Sequence, residues 1–401
     1  MTSSVGTSHA IPLPAGNARV LWLSLLAFSM GFAVWGLFSA LGPFLIKWYA
    51  FSPTQALILA AMPAFFATVV SIPLGIVTDK FGGRLVFTLL LLSLTIPLFT
   101  GLFVDSYLSF LLLGMLLGLG GASFVVGNAH VSSWYPKSKQ GTALGLFGLG
   151  NIGISLGMIA VAFLITQVLG GPAGYGPLPA KFALGNFSGW RLVFLIFAIP
   201  TLLMALVYWF FTSDPPHRQH KGVSLREVAA VYRSGALVWL VTYLYWTAFG
   251  TLTFFAATMP TYLVDQWRVD TTQASMVYTA LLVACVAVTR PLGGWLADRF
   301  DTLKILAWMF GLASGLALLS GASAAAVIKL IPTYFKHVGA VSGLAKAAGA
   351  ACGFTMTVTL AASKHMLGGY ALGFIIWALM NVAAFYVVFS RAGFRHAKPL
   401  N

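Results

Sequence analysis

The sequence predicts an all-α polytopic membrane protein, with twelve transmembrane helices in two six-helix bundles related by pseudo-two-fold symmetry. Of its 401 residues, 59% are hydrophobic and only 8% are charged, against about 25% charged in a soluble domain. Most of the chain divides into long apolar runs. The loop GIVTDKFGGR (75–84) recurs in altered form as GGWLADRFDT (293–302), with Asp79 and Asp298 at equivalent positions of the two copies. A loop repeated half a chain apart indicates a duplicated membrane bundle.

The apolar runs give the order of the predicted spans, to within a few residues. They cover 20–46, 53–78, 85–103, 107–133, 141–169, 190–212, 236–263, 272–297, 304–320, 321–335, 339–363 and 368–390. The segment 213–235 is the only sizeable hydrophilic loop on its side of the membrane, and it separates six spans from six. The predicted organisation is therefore an N-terminal segment 1–19, a first bundle 20–212, a linker 213–235, a second bundle 236–390 and a basic tail 391–401.

Spans nine and ten are expected to be short. Only the stretch 305–335 separates Lys304 from Lys336, whereas crossing a core of about 30 Å twice takes roughly 40 helical residues. A single span there would place the basic C-terminus on the other side, against the distribution of positive charge. We therefore predict two short spans, or a sequence that lacks residues near Leu319–Gly321.

The positive charge fixes the predicted orientation. Apart from Arg290, Lys329 and Lys346, fifteen Lys and Arg residues fall on one side and five on the other, which places both termini in the cytoplasm. The net charge of +15 is spread over short loops, without a dense basic run interleaved with aromatic residues. The sequence thus predicts a lipid bilayer and a small ligand as partners, with no nucleic acid, and we expect a monomer.

Enzyme chemistry is not indicated. The two cysteines, Cys285 and Cys352, lie inside apolar runs and are interpreted as small buried hydrophobic residues. The sequence has no metal-ligand spacing, no phosphate-binding loop and no nucleophile–base pattern. No metal and no cofactor are therefore predicted.

Cationic side chains inside the spans are the main candidates for a binding site. Arg290, in LLVACVAVTRPLGG, lies about two turns before the second repeated loop. A buried arginine costs at least about 2.5–3.5 kcal/mol on insertion scales, so it either extends to the headgroups or clamps an anion with its planar guanidinium. Lys346 lies two turns into span eleven among Ala and Gly. Lys329, near the end of span ten, is a possible secondary cation or a residue that reaches the headgroups.

Two polar residues of span four are further candidates. The run GGASFVVGNAHVSSWYP (120–136) places Asn128 and His130 in the membrane. His130 is either a core histidine bonded to a neighbouring hydroxyl, or a ligand donor and proton carrier that titrates near pH 6.5. All eight acidic residues map to loops or span ends. The usual carboxylate relay of proton-coupled transport is therefore missing, which favours exchange or facilitated movement.

Span five is rich in glycine. It reads GTALGLFGLGNIGIS over residues 141–155. Most of these glycines are expected to allow close helix packing. Gly148, Gly150 and Asn151 are also candidates for bringing bare backbone near a small ligand.

Together these motifs resemble a known transporter family. Twelve spans with an Asp-basic-aromatic loop after spans two and eight resemble the major facilitator superfamily. The glycine run with its preceding SSWYPKSKQ resembles the signature of the nitrate/nitrite porter family, as do segments of spans one, two and eleven: FAVWGLFSALGP (32–43), AMPAFFATVVSIPLG (61–75) and VSGLAKAAGAACGF (341–354). The resemblance implies an alternating-access transporter of nitrate and nitrite in the bacterial inner (plasma) membrane.

The resemblance also implies roles for particular residues. In the family, arginines stand in span eight and at the repeat-related position in span two; Arg290 matches, whereas the second position is Ser71. Tyr245 matches a substrate-contacting tyrosine, and His130 stands where the family has an asparagine. A site with one arginine should bind a monovalent anion less tightly unless another cation compensates, and Lys346 is the stronger candidate for that cation and Lys329 the weaker. If the site is instead depleted, it should bind nitrate more tightly after Ser71→Arg, or trap it. The repeated loops are expected to act in gating through Gly75, Asp79, Lys80, Arg84, Asp298 and Arg299.

Two alternatives remain open at this point. An arginine in span eight with a lysine in span eleven also resembles the oxalate:formate exchangers of the same superfamily, which would make the substrate a small carboxylate. The serine at position 71 and the short 305–335 region are compatible with a different class of protein. That class is a non-transporting anion sensor with the same fold.

Overall fold

The structure is a computed structural model that describes residues 16–170, 189–216, 229–230, 232–233, 235–313, 320–335 and 338–390. Most of the predicted N-terminal segment, the linker and the basic tail lie outside this part of the chain. The described residues form helices and no strands, which confirms the predicted all-α class.

In chain order the membrane helices are α1 Ala18–Tyr49, α2 Pro53–Phe81, α3 Gly83–Phe103, α4 Tyr107–Trp134, α5 Lys137–Leu169, α6 Gly189–Phe211, α7 Ala236–Trp267, α8 Gln273–Arg299, α9 Thr302–Ala313, α10 Ser320–Tyr334, α11 Val338–Leu367 and α12 Ala371–Phe389.

Ten of these helices are long and apolar enough to cross a bilayer. The other two, α9 and α10, have 12 and 15 residues. At 1.5 Å per residue they rise by about 18 and 22 Å, less than the thickness of about 30 Å of a bilayer core. The described parts of spans nine and ten are thus short, in the region where the sequence has too few residues for two full crossings.

Several helices are interrupted near the middle of the molecule. A single residue, Gly36, separates two α-helical segments of α1, and a 3-10 turn at Leu149–Asn151 interrupts α5 inside the glycine-rich run. The first part of α8, Gln273–Thr279, is a π-helix. Interruptions of this kind free backbone groups and often mark functional regions of membrane helices.

The two bundles meet where α2 packs against α11 and α5 against α8. Glycine makes this approach possible. A Cβ atom on Gly145 of α5 would lie 2.9 Å from the carbonyl oxygen of Arg290 on α8, and one on Gly343 of α11 would lie 2.8 Å from that of Ser71 on α2. Gly75 of α2 likewise abuts the backbone of Gly339. Close packing between backbones, as the sequence indicated for most glycines of α5, is the role of small residues in membrane helix pairs.

One repeated aspartate holds the start of α5. Asp298 Oδ1 accepts a hydrogen bond from the N–H of Gly141 (3.0 Å), and its Oδ2 accepts from the N–H and the hydroxyl of Thr142 (2.6 and 2.8 Å). Lys329 Nζ lies 2.6 Å from Oδ1 and also donates to the carbonyl of Lys137 (2.5 Å). A carboxylate from the second bundle thus caps a helix of the first, where helix N-termini attract negative charge.

The other repeated aspartate makes the equivalent contact in the opposite direction, from the first bundle to the second. Asp79 Oδ2 of the first bundle accepts a hydrogen bond from the N–H of Ala340 at the start of α11 in the second bundle (3.0 Å). The two aspartates with their partners form the latch, at what we call the latch end of the molecule. The predicted basic members of these loops contact aromatic rings instead: Lys80 on Phe81, Arg84 on Trp209 and Arg299 on Trp295.

The bundles also contact each other at the opposite end. The second segment of α1 contacts α7, where Gly42 packs against Thr261, and α5 contacts the first turns of α8. Within the second bundle, Asp265 near the end of α7 pairs with Lys364 of α11 at 2.7 Å. The two bundles therefore contact each other at both ends of their interface.

Removing the latch carboxylate should open this end. Asp298→Ala should cost about 1–3 kcal/mol of stability, because it removes a helix cap and a charged hydrogen-bond partner. Amide hydrogen exchange in residues 140–146 should become faster, and Asp270→Ala is the matched control. Asp270 caps Thr272 and Gln273 of its own segment, so its loss should leave exchange in 140–146 unchanged. Equal exchange in both variants would contradict the latch assignment.

Candidate functional site

Arg290 lies in the centre of the interface between the bundles. It is 1% exposed, and its position on α8 immediately precedes Pro291. Among the residues that the structure describes, its Nε and Nη2 atoms have no hydrogen-bond partner. These two nitrogens carry the N–H groups along one edge of the guanidinium, the edge that makes bidentate hydrogen bonds to two oxygens of an anion. A buried, unpaired donor edge is a costly arrangement unless a ligand completes it.

Lys346 of α11 is the second buried cation, also 1% exposed. Its Nζ lies 3.2 Å from the ring centre of Phe249, 4.7 Å from that of Phe32 and 5.2 Å from that of Phe124. Arg290 shares two of these rings, with its Cζ 5.6 Å from Phe249 and 5.7 Å from Phe124. The three phenylalanines, from α1, α4 and α7, hold the two cations by cation–π attraction. We call the two cations and these rings the cation cage.

Tyr245 closes the cage from α7. Its ring stacks on Phe249 at 5.4 Å with an interplanar angle of 3°, and on Phe124 at 5.9 Å. The phenol lies beside the Arg290 guanidinium, but its hydroxyl makes no hydrogen bond of ordinary geometry. A buried tyrosine hydroxyl normally has a partner. The hydroxyl and the free guanidinium edge are thus donors available to one ligand.

The cage holds two positive groups and no negative one. In the part of the chain that the structure describes, neither Arg290 nor Lys346 forms a salt bridge. The described carboxylates that pair with a cation lie at the two ends of the bundles, as Asp298 and Asp265 do. Two like charges in a low-dielectric site repel each other and lose hydration. A bound anion would relieve both effects.

Two asparagines beside the cage contribute further polar atoms. Asn128 Nδ2 donates to Ser342 Oγ (2.8 Å), one turn before Lys346 on α11, and Asn151 Nδ2 donates to the carbonyl of Gly148 (2.6 Å). Both side-chain oxygens are buried and have no partner in the described part of the chain. The structure thus places Asn128 and Asn151 close to the cage, where they are neutral polar residues.

The glycines of α5 divide between two neighbours. A Cβ on Gly148 would lie 2.9 Å from Arg290 Cδ and 3.2 Å from its Nη1, so this glycine makes room for the arginine side chain. Gly150 instead packs against Leu25 and Phe28 of α1. Of the two glycines among the three predicted backbone contacts, only Gly148 faces the cage, and there it contacts Arg290.

Ser71 is completely buried at the α2–α11 crossing. Its hydroxyl donates to the carbonyl of Ala67 in its own helix (2.5 Å), and its backbone lies against Gly343, one turn before Lys346. The structure thus brings the predicted positions 71, 128, 148, 151, 245, 290 and 346 to one region between the bundles.

Two predicted site residues lie elsewhere. Lys329 belongs to the latch through Asp298. The His130 ring bonds to Tyr208 Oη (2.6 Å) and to the carbonyl of Ser213 (3.0 Å), near the start of the linker. Tyr208 also bonds to Ser24 Oγ (2.8 Å). His130 thus has the contacts of the first alternative, a core histidine bonded to a hydroxyl.

The aromatic walls of the cage had no signal in the sequence. Phe32, Phe124 and Phe249 stand in apolar spans of a chain with 32 phenylalanines, and only the fold shows which of them surround a cation. Charge was the usable signal, because a cation in an apolar span is rare whereas a phenylalanine there is common.

Two membrane bundles with buried cations between them are typical of a secondary membrane transporter. Comparison with known proteins agrees with this class. The sequence model of the Major Facilitator Superfamily matches residues 23–385. A probable nitrate/nitrite antiporter, NarK1, of Thermus thermophilus is 33% identical over 92% of this chain and 90% of its own length. A nitrite extrusion protein of Bacillus subtilis is 30% identical over 93% of this chain and 94% of its own length.

Solved structures show the same fold. The human organic anion transporter MFSD10 aligns with a TM-score of 0.66 at 17% identity, over 92% of this chain and 99% of that one. The fucose:proton symporter FucP of E. coli aligns with a TM-score of 0.64 at 19% identity, over 94% and 100%.

The chain belongs to the Major Facilitator Superfamily and, within it, to the family of nitrate and nitrite porters that these relatives represent. The superfamily consists of transporters, so the chain is a multi-pass membrane transporter and not an enzyme, as the sequence predicted.

The position of His130 leads to a prediction about stability. His130→Ala should lower the free energy of unfolding by about 1–3 kcal/mol, because it leaves the buried Tyr208 hydroxyl and the Ser213 carbonyl short of a partner. Amide exchange should increase around residues 208–214 and stay unchanged around 286–290. Faster exchange around 286–290 alone would place His130 in the cage after all.

Proposed function

We propose that the protein carries small monovalent anions, most directly nitrate and nitrite, across the bacterial inner membrane by alternating access. The observation that carries this proposal is the pair of buried cations in one aromatic cage without a carboxylate partner. The names of the relatives, which refer to nitrate and nitrite, support the same substrate class. The excess of Lys and Arg supports a cytoplasmic position for the latch end and for both termini.

The geometry of Arg290 favours a planar oxyanion. Its free Nε and Nη2 donors match two oxygens held in one plane, as in nitrate or nitrite. Lys346, which lies against the same two rings, supplies a point charge, and Tyr245 supplies a neutral donor. Because the rings exclude water, each of these contacts is stronger than it would be in solution.

Transport then follows from the charge balance of the cage. Without an anion, two buried positive charges oppose closure of both ends; with one anion, part of that charge is neutralised. Occlusion is therefore favoured when the anion is bound. The latch contacts of Asp79 and Asp298 must break for the site to open to the cytoplasm, and the contacts around Gly42 and Thr261 must part for it to open outward.

Exchange is the coupling mode that the site supports best. A cage emptied of its anion keeps two unpaired charges, which disfavours the return step without a second anion. No acidic residue of the described chain pairs with Arg290 or Lys346, so the common carboxylate proton relay is missing from the cage. Nitrate and nitrite, which carry the same charge and a similar planar shape, are suited to exchange for each other.

Small carboxylates are the second candidate. Formate presents two oxygens in a plane, and oxalate carries two charges that two cations would balance. The observation in favour is that Arg290 and Lys346 occupy one cage, because two cations suit a dianion. Competition of oxalate and formate against nitrate for uptake distinguishes the two substrate classes.

Arg290 is the residue to test. Arg290→Ala, reconstituted in liposomes, should lower the kcat/KM of nitrate/nitrite exchange by about 100-fold or more, since a hydrogen bond to a charged group contributes about 1.5–3 kcal/mol and the charge itself is lost as well. Arg290→Lys keeps the charge but loses the bidentate edge, so its kcat/KM should lie between those of wild type and Arg290→Ala.

The control is Arg19→Ala, because Arg19 is exposed at the start of α1 and should not affect exchange. If Arg290→Ala exchanges nitrate and nitrite as fast as wild type does, Arg290 does not belong to the anion-binding site. Lack of nitrate and nitrite transport by the unaltered protein would contradict the proposed function itself.

A further inference from the structure

The two crossings between the bundles can be aligned contact by contact. At the latch, Gly141 of α5 packs against Asp298, and Gly339 of α11 packs against Asp79. Asp79 on α2 therefore corresponds to Asp298 on α8, and Gly141 on α5 corresponds to Gly339 on α11. Fewer residues separate Gly141 from Gly339 than separate Asp79 from Asp298. The difference arises because α9 and α10, which precede α11, are short.

The next turn of each crossing confirms this register. Gly145 follows Gly141 by the same interval as Gly343 follows Gly339, and Ser71 precedes Asp79 by the same interval as Arg290 precedes Asp298. Gly145 faces the carbonyl oxygen of Arg290, and Gly343 faces that of Ser71. The two distances from an added Cβ, 2.9 and 2.8 Å, are nearly the same. The backbones of the two helix pairs thus repeat each other at this level.

One turn further the side chains differ, and they differ in a complementary way. In the α5–α8 pair the residues are Gly148 and Arg290, and the arginine side chain lies against the glycine. The matching residues of the α11–α2 pair are Lys346 and Ser71. Each pair therefore holds one cation and one small residue, but the cation is on the α8 side of one pair and on the α11 side of the other.

We infer that Lys346 is the second anion-binding cation of this transporter and occupies the space that an arginine at position 71 would need, so that the charge has moved from α2 to α11 across the same helix crossing. The inference rests on the proposed function for its ligand, and on the contacts above for its geometry. Position 71 is then not a depleted half of the site. It is the small partner that a lysine at 346 requires.

Burial and charge support this placement of the cation at position 346 instead of position 71. Lys346 Nζ reaches the same two rings as the Arg290 guanidinium, so both crossings deliver a cation to one cage. Ser71 is completely buried and its hydroxyl is satisfied within its own helix. An arginine at position 71 would meet the side chain of Lys346, whereas Arg290 meets Gly148, which has no side chain. It would also bring a third positive charge to a cage that contains no acidic residue.

The inference reverses the expectation for Ser71→Arg that follows from a depleted site. Introduced alone, the arginine should lower the melting temperature and raise the nitrate KM by about tenfold or more, because like charges repel in a buried site. Lys346→Gly alone should also raise KM by about tenfold or more, by loss of one cation. The double variant Ser71→Arg/Lys346→Gly should return KM to within about threefold of wild type, since coupled residues are not additive.

A neutral double variant separates charge from volume. Ser71→Met/Lys346→Gly fills the same space with no charge, so its KM should stay at the level of Lys346→Gly. Melting temperatures are measured for all variants without added anion, so that packing is assessed independently of transport. Ser71→Arg should destabilise the wild-type background more than the Lys346→Gly background.

The outcomes are distinct. A double variant that transports no better than Lys346→Gly, or a Lys346→Gly variant with the wild-type KM, would overturn the inference. If the unaltered protein carries neither nitrate, nitrite, formate nor oxalate, the proposed function fails instead. The inference is then decided by melting temperature alone: equal destabilisation by Ser71→Arg in both backgrounds contradicts it, and rescue by Lys346→Gly supports it.

Discussion

The unpaired positive charge between the bundles is the constraint on which the rest of the structure depends. Arg290 and Lys346 are each 1% exposed and share two phenylalanine rings. Two desolvated cations without a carboxylate are unfavourable in any membrane protein. Aromatic faces offset part of that cost, and a small anion offsets more. We therefore expect the central site to have its lowest free energy when an anion occupies it.

The helix packing around the site is arranged to bring these cations together. Glycines at 145, 148 and 343 allow α5 and α11 to approach α8 and α2 so closely that long side chains reach the middle of the interface. At the latch end, the repeated aspartates cap the first turns of the same helices, α5 and α11. Each crossing thus carries a removable contact at its end and a charge near its middle. In the proposed mechanism, the same helices bind the anion and close the path to it.

The sequence predicted the fold well because its signals were redundant. Apolar runs, the distribution of Lys and Arg, and the repeat around Asp79 and Asp298 each pointed to two bundles. Arg290 was identifiable because a charge in an apolar span needs a physical reason. The repeated loop alone was enough to pair Ser71 with Arg290. Pairing Lys346 with Gly148 needed contacts that only the structure supplies, because α5 and α11 repeat at a different offset.

The sequence could not predict how deep in the bundle a side chain lies or which neighbouring helix it faces. His130 and Lys329 stand in helices, like Lys346, yet they bond near the helix ends to Ser213 and Asp298. Gly150 lies just beyond Gly148 and yet faces α1 instead of α8. Residue type alone does not tell which face of a buried helix meets which neighbour, and helices buried on most sides lack the polar face that would orient them.

The central claim is that one small anion binds between Arg290 and Lys346. The most direct measurement is the nitrate-induced rise in stability of the purified protein, compared between wild type and Arg290→Ala. A ligand at 100 times its Kd stabilises the folded state by about 2.7 kcal/mol. The account predicts such a saturable rise for wild type and its loss in the variant. An equal rise in both proteins, or none in wild type, would contradict it.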